Sequence, residues 1–247
     1  MKIQKIPTCF TMVVVIAAIA FLPSCKKSAT TTIMTPPVAT INKIAYIYKT
    51  DSTDGTAFKA LLEANNCTVT LIDKPNDAST DYSGYKLIVI DNNTDGTQVT
   101  PGWSTADTAA INGSGKPILL IGIGGLQFGQ KLQTTVNWGG CATGSSSSIT
   151  VLDSLSTLYK SPKTVSLPAN NQLVIYTSAM NAAGLYVPVQ PVAGVKMIAR
   201  FPLSNVYMPV CFEKSRYGMF GFYGSFNSLT QAGKDFLVNL AFYVGNF

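Results

Sequence analysis

The chain has 247 residues, of which 47% are apolar and 12% charged, as in globular rather than disordered proteins. It contains no histidine, which excludes histidine-dependent catalytic triads and the usual kinds of zinc site. The net charge of +6 comes from scattered basic side chains. Because no basic stripe is interleaved with aromatic residues, we expect no nucleic-acid partner.

The N-terminus has the pattern of a bacterial export signal. Met1–Ser24 contains two lysines, an apolar run and then small residues, which predicts a signal peptide too short to span a membrane stably. Leu22-Pro23-Ser24-Cys25 resembles the lipobox of bacterial lipoproteins. We therefore predict that residues 1–24 are removed and that a lipidated Cys25 anchors the protein to a membrane. An ordinary signal peptide with a chance cysteine is the alternative.

The residues after Cys25 predict a location and a tether. Lys26 and Lys27 stand where an aspartate would follow. By resemblance to the usual sorting rule for lipoproteins, this favours the bacterial outer membrane, on either face. Residues 25–41 are rich in Ser, Thr, Ala and Pro and predict a flexible tether. Residues 42–247 are long enough for one α/β domain.

Three cysteines remain in this domain, an odd number that allows at most one internal bridge. Cys67, Cys141 and Cys211 have strand-like or glycine-rich flanks, which favour three free thiols. At least one free thiol is therefore expected in an oxidising compartment.

Strands and helices alternate along the first half of the domain. Apolar or β-branched runs predict the strands, and amphipathic stretches that end at asparagine or glycine predict the helices. This alternation indicates an α/β fold with a doubly wound, mainly parallel sheet. The predicted strands are Lys43–Tyr48, Thr68–Asp73, Lys86–Asp91 and the run after Lys116, and the predicted helices are Ala57–Asn66 and Ser104–Ile111.

The pattern loosens after Gly129. Trp138–Ser148 is rich in glycine and serine and predicts a flexible loop. Two runs around a Lys214-Ser215 turn predict an antiparallel C-terminal extension, and Ser228–Gln231 predicts the capping box of a last helix. The predicted elements here are the strands Thr164–Leu167, Gln172–Tyr176, Val195–Phe201, Val206–Glu213 and Arg216–Tyr223 and the helix Thr230–Val244.

Lys116–Gly129 is the stretch that points to a site. Its unbroken apolar run predicts a strand buried on both faces, and its glycines predict a tight turn at the carboxyl edge, where ligands bind in such sheets. Together with Lys43–Tyr48, Tyr85–Asn93 and Met219–Ser225, the segment Gly115–Gly122 resembles the class I glutamine amidotransferase-like fold, and within it the ThuA-like branch. The resemblance implies a flavodoxin-like α/β domain.

The residues of the family's catalytic triad are absent. Its glutaminases carry the nucleophile in a Gly-Ile-Cys-x-Gly turn, whereas here Gly122-Ile123 is followed by Gly124. The family's Phe-His-Pro-Glu is matched by Phe222-Tyr223-Gly224-Ser225. Without a nucleophile and a histidine to activate it, we expect no glutaminase activity.

Two loops at the predicted carboxyl edge suggest cofactors. Thr50–Thr56 resembles the phosphate loop of flavodoxins, but it is one residue too long, and its Asp51 and Asp54 would repel a phosphate. FMN is therefore not expected, and a helix-capping loop is the alternative.

The second loop resembles a calcium-binding loop. Asp91, Asn93 and Asp95 place oxygens at alternate positions before a glycine, as calcium loops do, although Gly102 replaces the usual glutamate. An Asx turn is the alternative there.

The same edge supplies a predicted ligand-binding set. Gly124, Gly125 and Gln127 suggest an amide-lined anion pocket at a helix start, with close helix–sheet packing as the alternative. The aspartates suggest carboxylate-dependent hydrolysis of a carbohydrate, and Trp138, Tyr186, Tyr207, Tyr217 and Tyr223 suggest a sugar-stacking surface or core positions. The predicted set is Asp51, Asp54, Asn92, Gly124, Gly125, Gln127, Tyr223 and Ser225.

These observations predict a lipid-anchored envelope protein with a non-catalytic amidotransferase-like domain. Its predicted partners are the membrane, through Cys25, and a glycan, small ligand or envelope protein at the carboxyl edge of the sheet. A carboxylate-dependent hydrolase acting on carbohydrate is the alternative function. No cofactor is expected, and calcium is the one metal for which the sequence suggests a site.

Overall fold

A computed structural model describes residues 43–49, 51–94, 102–189 and 191–247. The predicted signal peptide, Cys25, the tether and Asp95 lie outside these residues. Within the described ranges, no helix combines the length and hydrophobicity needed to cross a membrane. All three cysteines of the domain carry free thiols, as the sequence favoured, and two of them, Cys67 and Cys211, are buried.

The parallel half of the main sheet is built from short apolar strands. Four of the five strands are buried almost throughout, because helices cover both faces, whereas the edge strand Thr68–Asp73 has only Val69 and Ile72 buried. Neighbouring strands pair in the order β2-β1-β3-β4-β12, all parallel. The strands are β1 (Lys43–Tyr48), β2 (Thr68–Asp73), β3 (Leu87–Ile90), β4 (Ile118–Ile121) and β12 (Tyr217–Phe220).

Helices pack on both faces of this half, which confirms the predicted doubly wound α/β fold. On one face, Phe58 of α1 (Thr53–Glu63) and Leu240 of α4 (Gln231–Gly245) share a core with Val89. The opposite core contains Ile111 from α2 (Thr105–Gly113) and Phe128 from α3 (Gly122–Lys131). Successive residues of each strand point to opposite cores, as expected from the period of two.

An antiparallel half continues the main sheet beyond β12. It adds strands in the order β11-β9-β6-β7, and a separate antiparallel sheet has the order β10-β8-β5. This part is larger than the predicted C-terminal extension. Its strands are β5 (Cys141–Ser146), β6 (Ser148–Val151), β7 (Gln172–Val174), β8 (Met180–Tyr186), β9 (Val195–Arg200), β10 (Tyr207–Met208) and β11 (Val210–Glu213).

Three predicted elements were wrong in this part. The predicted loop Trp138–Ser148 contains β5, which pairs along its whole length with β8. Thr164–Leu167 forms no strand. The predicted strand Val206–Glu213 is split between the two sheets, with Pro209 between β10 and β11. Proline has no N–H for a ladder bond, so the chain changes partner there.

Candidate functional site

The carboxyl edge of the parallel strands brings most of the predicted site residues together. The loops after β1, β3, β4 and β12 meet there, because parallel strands end at the same edge. Asp95 lies outside the described residues, and Gln127 is buried within α3. The residues at this edge are Asp51, Asp54, Asp91, Asn92, Asn93, Gly124, Gly125, Tyr223 and Ser225.

Gly122 makes the sharp turn from β4 into α3. Its φ of 53° lies in the left-handed region, and a Cβ placed on it would be 2.4 Å from Asn92 Oδ1. In strand–turn–helix sites of acyl-transfer enzymes, the nucleophile occupies the strained residue of such a turn. The sequence analysis set Gly124 against the family's cysteine, whereas the residue with left-handed backbone in this turn is Gly122. Neither residue has a side chain.

The amide next to this turn is already bound. Ile123 N donates to Asn92 Oδ1 at 2.9 Å. In nucleophile-elbow enzymes, the N–H after the nucleophile stabilises the oxyanion of the reaction intermediate. Here the corresponding donor, Ile123 N, is instead capped by the side chain of Asn92 at the start of α3.

Gly124 and Gly125 allow the first turn of α3 to lie against neighbouring backbone. A Cβ on Gly124 would be 2.4 Å from Thr94 Oγ1, and one on Gly125 would be 2.7 Å from the carbonyl carbon of Leu120. Both distances are far below van der Waals contact, so close packing accounts for these glycines. The anion pocket stays a prediction, and it would have to do without the Ile123 amide.

Asp54 ties the start of α1 to the loop after β12. Its Oδ1 accepts from Ser225 Oγ at 2.7 Å and from Phe226 N at 3.1 Å, which caps a short 3₁₀ turn. Tyr176 Oη donates to Gly224 O at 3.0 Å from the other side of this loop. Two predicted ligand-binding residues, Asp54 and Ser225, therefore contact each other directly.

Asn93 ties the loop after β1 to the loop after β3. Its Oδ1 accepts from Lys49 N at 3.0 Å, and its Nδ2 donates to Asp51 O at 2.6 Å. The exposed Asp51 carboxylate accepts from Thr53 N at 2.8 Å, and these contacts with Thr53 hold the pKa of Asp51 below its usual value. A phosphate at this helix start would face that carboxylate.

The residues of the predicted calcium loop point in different directions. Asn93 is bound to main chain, as above, and Asp91 is turned into the core. In the part of the chain that the structure describes, no three His, Cys, Asp or Glu side chains are close enough to hold a metal together. The calcium site, which also needs Asp95, stays a prediction.

A buried pair, Tyr46 and Asp91, lies beneath the edge. Asp91 is 1% exposed, and its Oδ1 accepts from Asn92 N at 2.7 Å. The pKa of Asp91 is raised to about 6, chiefly by burial and to a smaller extent by Asp54, while the Tyr46 hydroxyl and the Asn92 amide oppose this rise. Burial and then Asp91 raise the pKa of Tyr46 well above its usual value. Asp91 Oδ2 and Tyr46 Oη each lack a hydrogen-bond partner among the described residues.

The sequence analysis missed Tyr46 as part of this site. A signal was present, because Tyr46 is the one residue with a polar side-chain atom in the buried middle of β1. The register pairs Tyr46 with Val89, two residues before Asp91. Since alternate residues share a face, Tyr46 and Asp91 lie on the same side of the sheet.

The predicted aromatic surface is dispersed. Tyr186 and Tyr207 form a pair on the small sheet, with ring centroids 5.4 Å apart, in which Tyr186 is exposed and Tyr207 is half-buried. Tyr217 is buried and donates to Asn112 Oδ1 at 2.9 Å. Tyr223 lies at the carboxyl edge, where burial raises its pKa. These side chains therefore belong to separate regions of the domain.

No protein-family model and no curated protein sequence matches this chain, but solved structures do. One is a Thermoplasma acidophilum protein provisionally described as part of a GMP synthase, with 14% identity, a TM-score of 0.51 and coverage of 84% of this chain and 96% of that chain. Another is PurLQS from Thermotoga maritima, with 12% identity, a TM-score of 0.54 and coverage of 81% and 98%. A glutamine amidotransferase from Thermotoga maritima matches at 10% identity, with a TM-score of 0.48 and coverage of 74% and 76%.

At these identities the similarity concerns the fold alone. The chain has the α/β fold of class I glutamine amidotransferase-like proteins, as the sequence predicted. The ThuA-like branch stays a prediction.

Proposed function

We propose that this chain is a lipid-anchored envelope protein whose amidotransferase-like domain binds a ligand and does not turn it over. The observation that carries this proposal is the contact between Ile123 N and Asn92 Oδ1 beside the side-chain-free Gly122. Acyl-transfer chemistry at such a turn needs a nucleophile, a base and a free oxyanion donor. At the position of the nucleophile, the turn has a glycine. The chain has no histidine to act as the base, and the oxyanion donor is already bound to Asn92.

We propose a neutral glycan as the ligand of the carboxyl edge. The groups that line this edge are carboxylates, carboxamides and hydroxyls, the types that hydrogen-bond to sugar hydroxyls. Asp51 is exposed, whereas Asn92, Tyr223 and Ser225 are half-buried. Because Asp51, Asp54 and Asp91 give the edge negative charge, an anionic ligand is disfavoured. An envelope protein is the alternative occupant.

Binding is tested on the full chain in mild detergent, by calorimetry with neutral oligosaccharides. We expect binding that Asp51→Ala weakens. Asp81→Ala is a matched control, because the exposed Asp81 makes the same kind of turn, accepting from Ser83 N at 2.9 Å. If no neutral glycan binds, or if both variants weaken binding equally, the proposed ligand is wrong. A protein partner would then be sought by crosslinking in the intact envelope.

The proposed anchor is lipidated Cys25 in the outer membrane. A lipid anchor adds about 0.8 kcal/mol of membrane affinity per buried methylene group. Cys25→Ser should therefore move the protein from the membrane fraction to the soluble fraction, and Cys9→Ser, within the predicted signal, should not. A Cys25→Ser protein that remains with the outer membrane would contradict this anchor.

A carboxylate-dependent carbohydrate hydrolase is the second candidate. The observation in its favour is the raised pKa of Asp91, beside Asp54, since a protonated carboxyl is the general acid in such enzymes. Asp91 is nearly inaccessible, however, and Asp54 caps a turn. Release of reducing ends from a glycan, lost in Asp91→Asn, would establish hydrolysis and overturn the non-catalytic proposal.

A further inference from the structure

A surface cavity of about 380 Å³ opens at the end of the sheet opposite the carboxyl edge. It lies between the start of β9, the β11–β12 turn and the end of α4. Two lysines and three aromatic side chains line it, so it combines positive charge with apolar surface. The lining side chains used below are Lys196, Phe212, Lys214, Ser215, Tyr243 and Phe247.

Strand register brings Lys196 and Phe212 to the same face. Phe212 pairs with Lys196 across β11 and β9, and paired residues of neighbouring strands point to the same side of a sheet. Lys214 N donates to Gly194 O at 3.0 Å just beyond the end of that ladder. The turn that follows β11 therefore lies next to Lys196 and forms one wall of the cavity.

The aromatic side chains form a continuous floor. Tyr243 stacks on Phe212 with ring centroids 4.9 Å apart, and Phe247 meets the two rings edge-on at 5.5 and 5.3 Å. Phe247 is 36% exposed, so part of the floor is open to a ligand. Aromatic surfaces of this kind contact the apolar faces of sugar rings.

Lys196 provides positive charge that no carboxylate neutralises among the described residues. Its Nζ donates to Tyr243 Oη at 3.2 Å. Lys214 is 67% exposed and lies 3.4 Å from Glu213 Oε1. Glu213 is itself buried, and its other oxygen accepts from Val136 N at 2.8 Å on the opposite face of the sheet. Because Lys214 Nζ lies beside this carboxylate, the charge of Lys214 is already paired, and Lys196 supplies the available ammonium group of the cavity.

The turn that carries Lys214 adopts an unfavourable conformation. Lys214 and Ser215 have φ values of 53° and 47°, a geometry that hairpin turns usually obtain with Asn-Gly. Retained strain of this kind clusters at ligand-binding sites, and here it places Lys214 and Ser215 on the wall of the cavity.

We infer that this cavity binds an anionic sugar, with the ring on Tyr243 and Phe247 and the acidic group on Lys196, beside the turn that carries Ser215. A carboxylate and a phosphate share the necessary chemistry, because both accept charge-assisted hydrogen bonds from ammonium groups. The Ser215 hydroxyl adds a neutral donor. This site is distinct from the proposed neutral-glycan site and does not depend on it.

The test is calorimetry on the full chain in mild detergent. The probes are trigalacturonate, its methyl ester as the neutral counterpart, and galactose 1-phosphate. We expect trigalacturonate to bind and its methyl ester not to. Lys196→Met should weaken binding about tenfold, as loss of one charged hydrogen bond does. Lys131→Met, on the exposed end of α3, is the matched control and should change nothing.

Phe247→Ala provides a second variant that spares the fold, because the side chain is partly exposed at the edge of the floor. It should weaken trigalacturonate binding as well. Binding of galactose 1-phosphate with the same dependence on Lys196 supports the site with phosphate as the acidic group. If no anionic probe binds, or if binding survives both variants, the inference is wrong. Asp51→Ala should leave this binding intact, which separates its failure from that of the carboxyl-edge proposal.

Discussion

Asn92 Oδ1 accepts the N–H of Ile123 at 2.9 Å, across the turn that begins α3. The same oxygen occupies the space into which a side chain on Gly122 would project. Asn92 and Gly122 therefore depend on each other. Asn92 satisfies an otherwise unpaired helix N–H, and Gly122 leaves room for Asn92.

Restoring a thiol to this turn should destabilise the protein without creating glutaminase activity. Gly122→Cys combines left-handed strain of about 1–2 kcal/mol with a steric clash. Asn92→Ala in the same chain should recover only part of the loss, because it removes the close carboxamide but keeps the Asn92 Cβ, 2.9 Å away, and loses the cap on Ile123 N. Gly115→Cys is the control, because Gly115 also has a positive φ, 70°, but open space around its Cβ position. Urea unfolding and ammonia release from glutamine measure the two effects. Glutamine hydrolysis by any of these variants would contradict the missing-base argument.

The buried Asp77 should make stability fall as the pH rises. The pKa of Asp77 is raised from 3.8 to about 7, chiefly by burial and then by the neighbouring Asp107, while Lys74 opposes the rise. Because the folded pKa exceeds the unfolded one, the contribution of Asp77 to the free energy of unfolding is fully present below about pH 4 and is lost as the pH rises to about 7. The loss is about 4 kcal/mol, from a shift of about 3 pKa units at about 1.4 kcal/mol per unit.

Asp77→Asn should remove this loss and be more stable than the parent at pH 8. Chemical denaturation at pH 5 and pH 8 measures the difference. Asp81→Asn is the control, since contacts with Ser83 lower the pKa of Asp81. The contribution of Asp81 to stability should therefore increase, and not decrease, as the pH rises. Equal pH dependence in the parent and Asp77→Asn would show that Asp77 is not the responsible group.

Removing the Asp54 carboxylate should loosen the loop after β12. Asp54→Ala leaves Ser225 Oγ and Phe226 N without their acceptor, which should cost about 1–2 kcal/mol, the usual range for a lost cap. Hydrogen exchange should show faster exchange of the Phe226 amide. Asp51→Ala, which loses only a local contact with Thr53, should leave that amide protected.

Gly221 should tolerate no side chain. A Cβ there would be 1.9 Å from Ala183 O, where the small sheet is bonded to the end of β12 through Ala183 N and Gly221 O at 2.8 Å. Gly221→Ala should therefore cost about 3 kcal/mol or more. Gly113→Ala, in the last turn of α2 with nothing within 4 Å, should instead be stabilising by about 0.5–1 kcal/mol. Thermal unfolding compares the two, and equal effects would contradict the packing argument.

The parallel half of the fold could be predicted because each of its strands is a self-contained apolar run. Lys43–Tyr48 and Thr68–Asp73 were predicted with the bounds that the structure has. β5 and β8 could not be predicted, since they contain mainly small or polar residues and form strands because they pair with each other. Such long-range pairing leaves little trace in local composition.

The site was predicted to the level of the sheet edge and no further. Topology alone places the loops after β1 and β3 side by side. The capping roles of Asn92 and Asp54 depend on turn geometry, and the pairing of Tyr46 with Asp91 depends on strand register. A register shift of one residue would turn Tyr46 to the other core, so sequence spacing does not determine such a contact.

The place of β12 beside β4 has a consequence for how the protein forms. Arg216 Nε donates to Lys116 O, 100 residues away, at the start of this strand pair. Until β12 has been made, β4 is an apolar edge strand, which is prone to pair with other chains. Folding that waits for such a distant partner is slow. The centre of the sheet can therefore close only after nearly the whole chain is available, and an exported copy would need protection from aggregation until then.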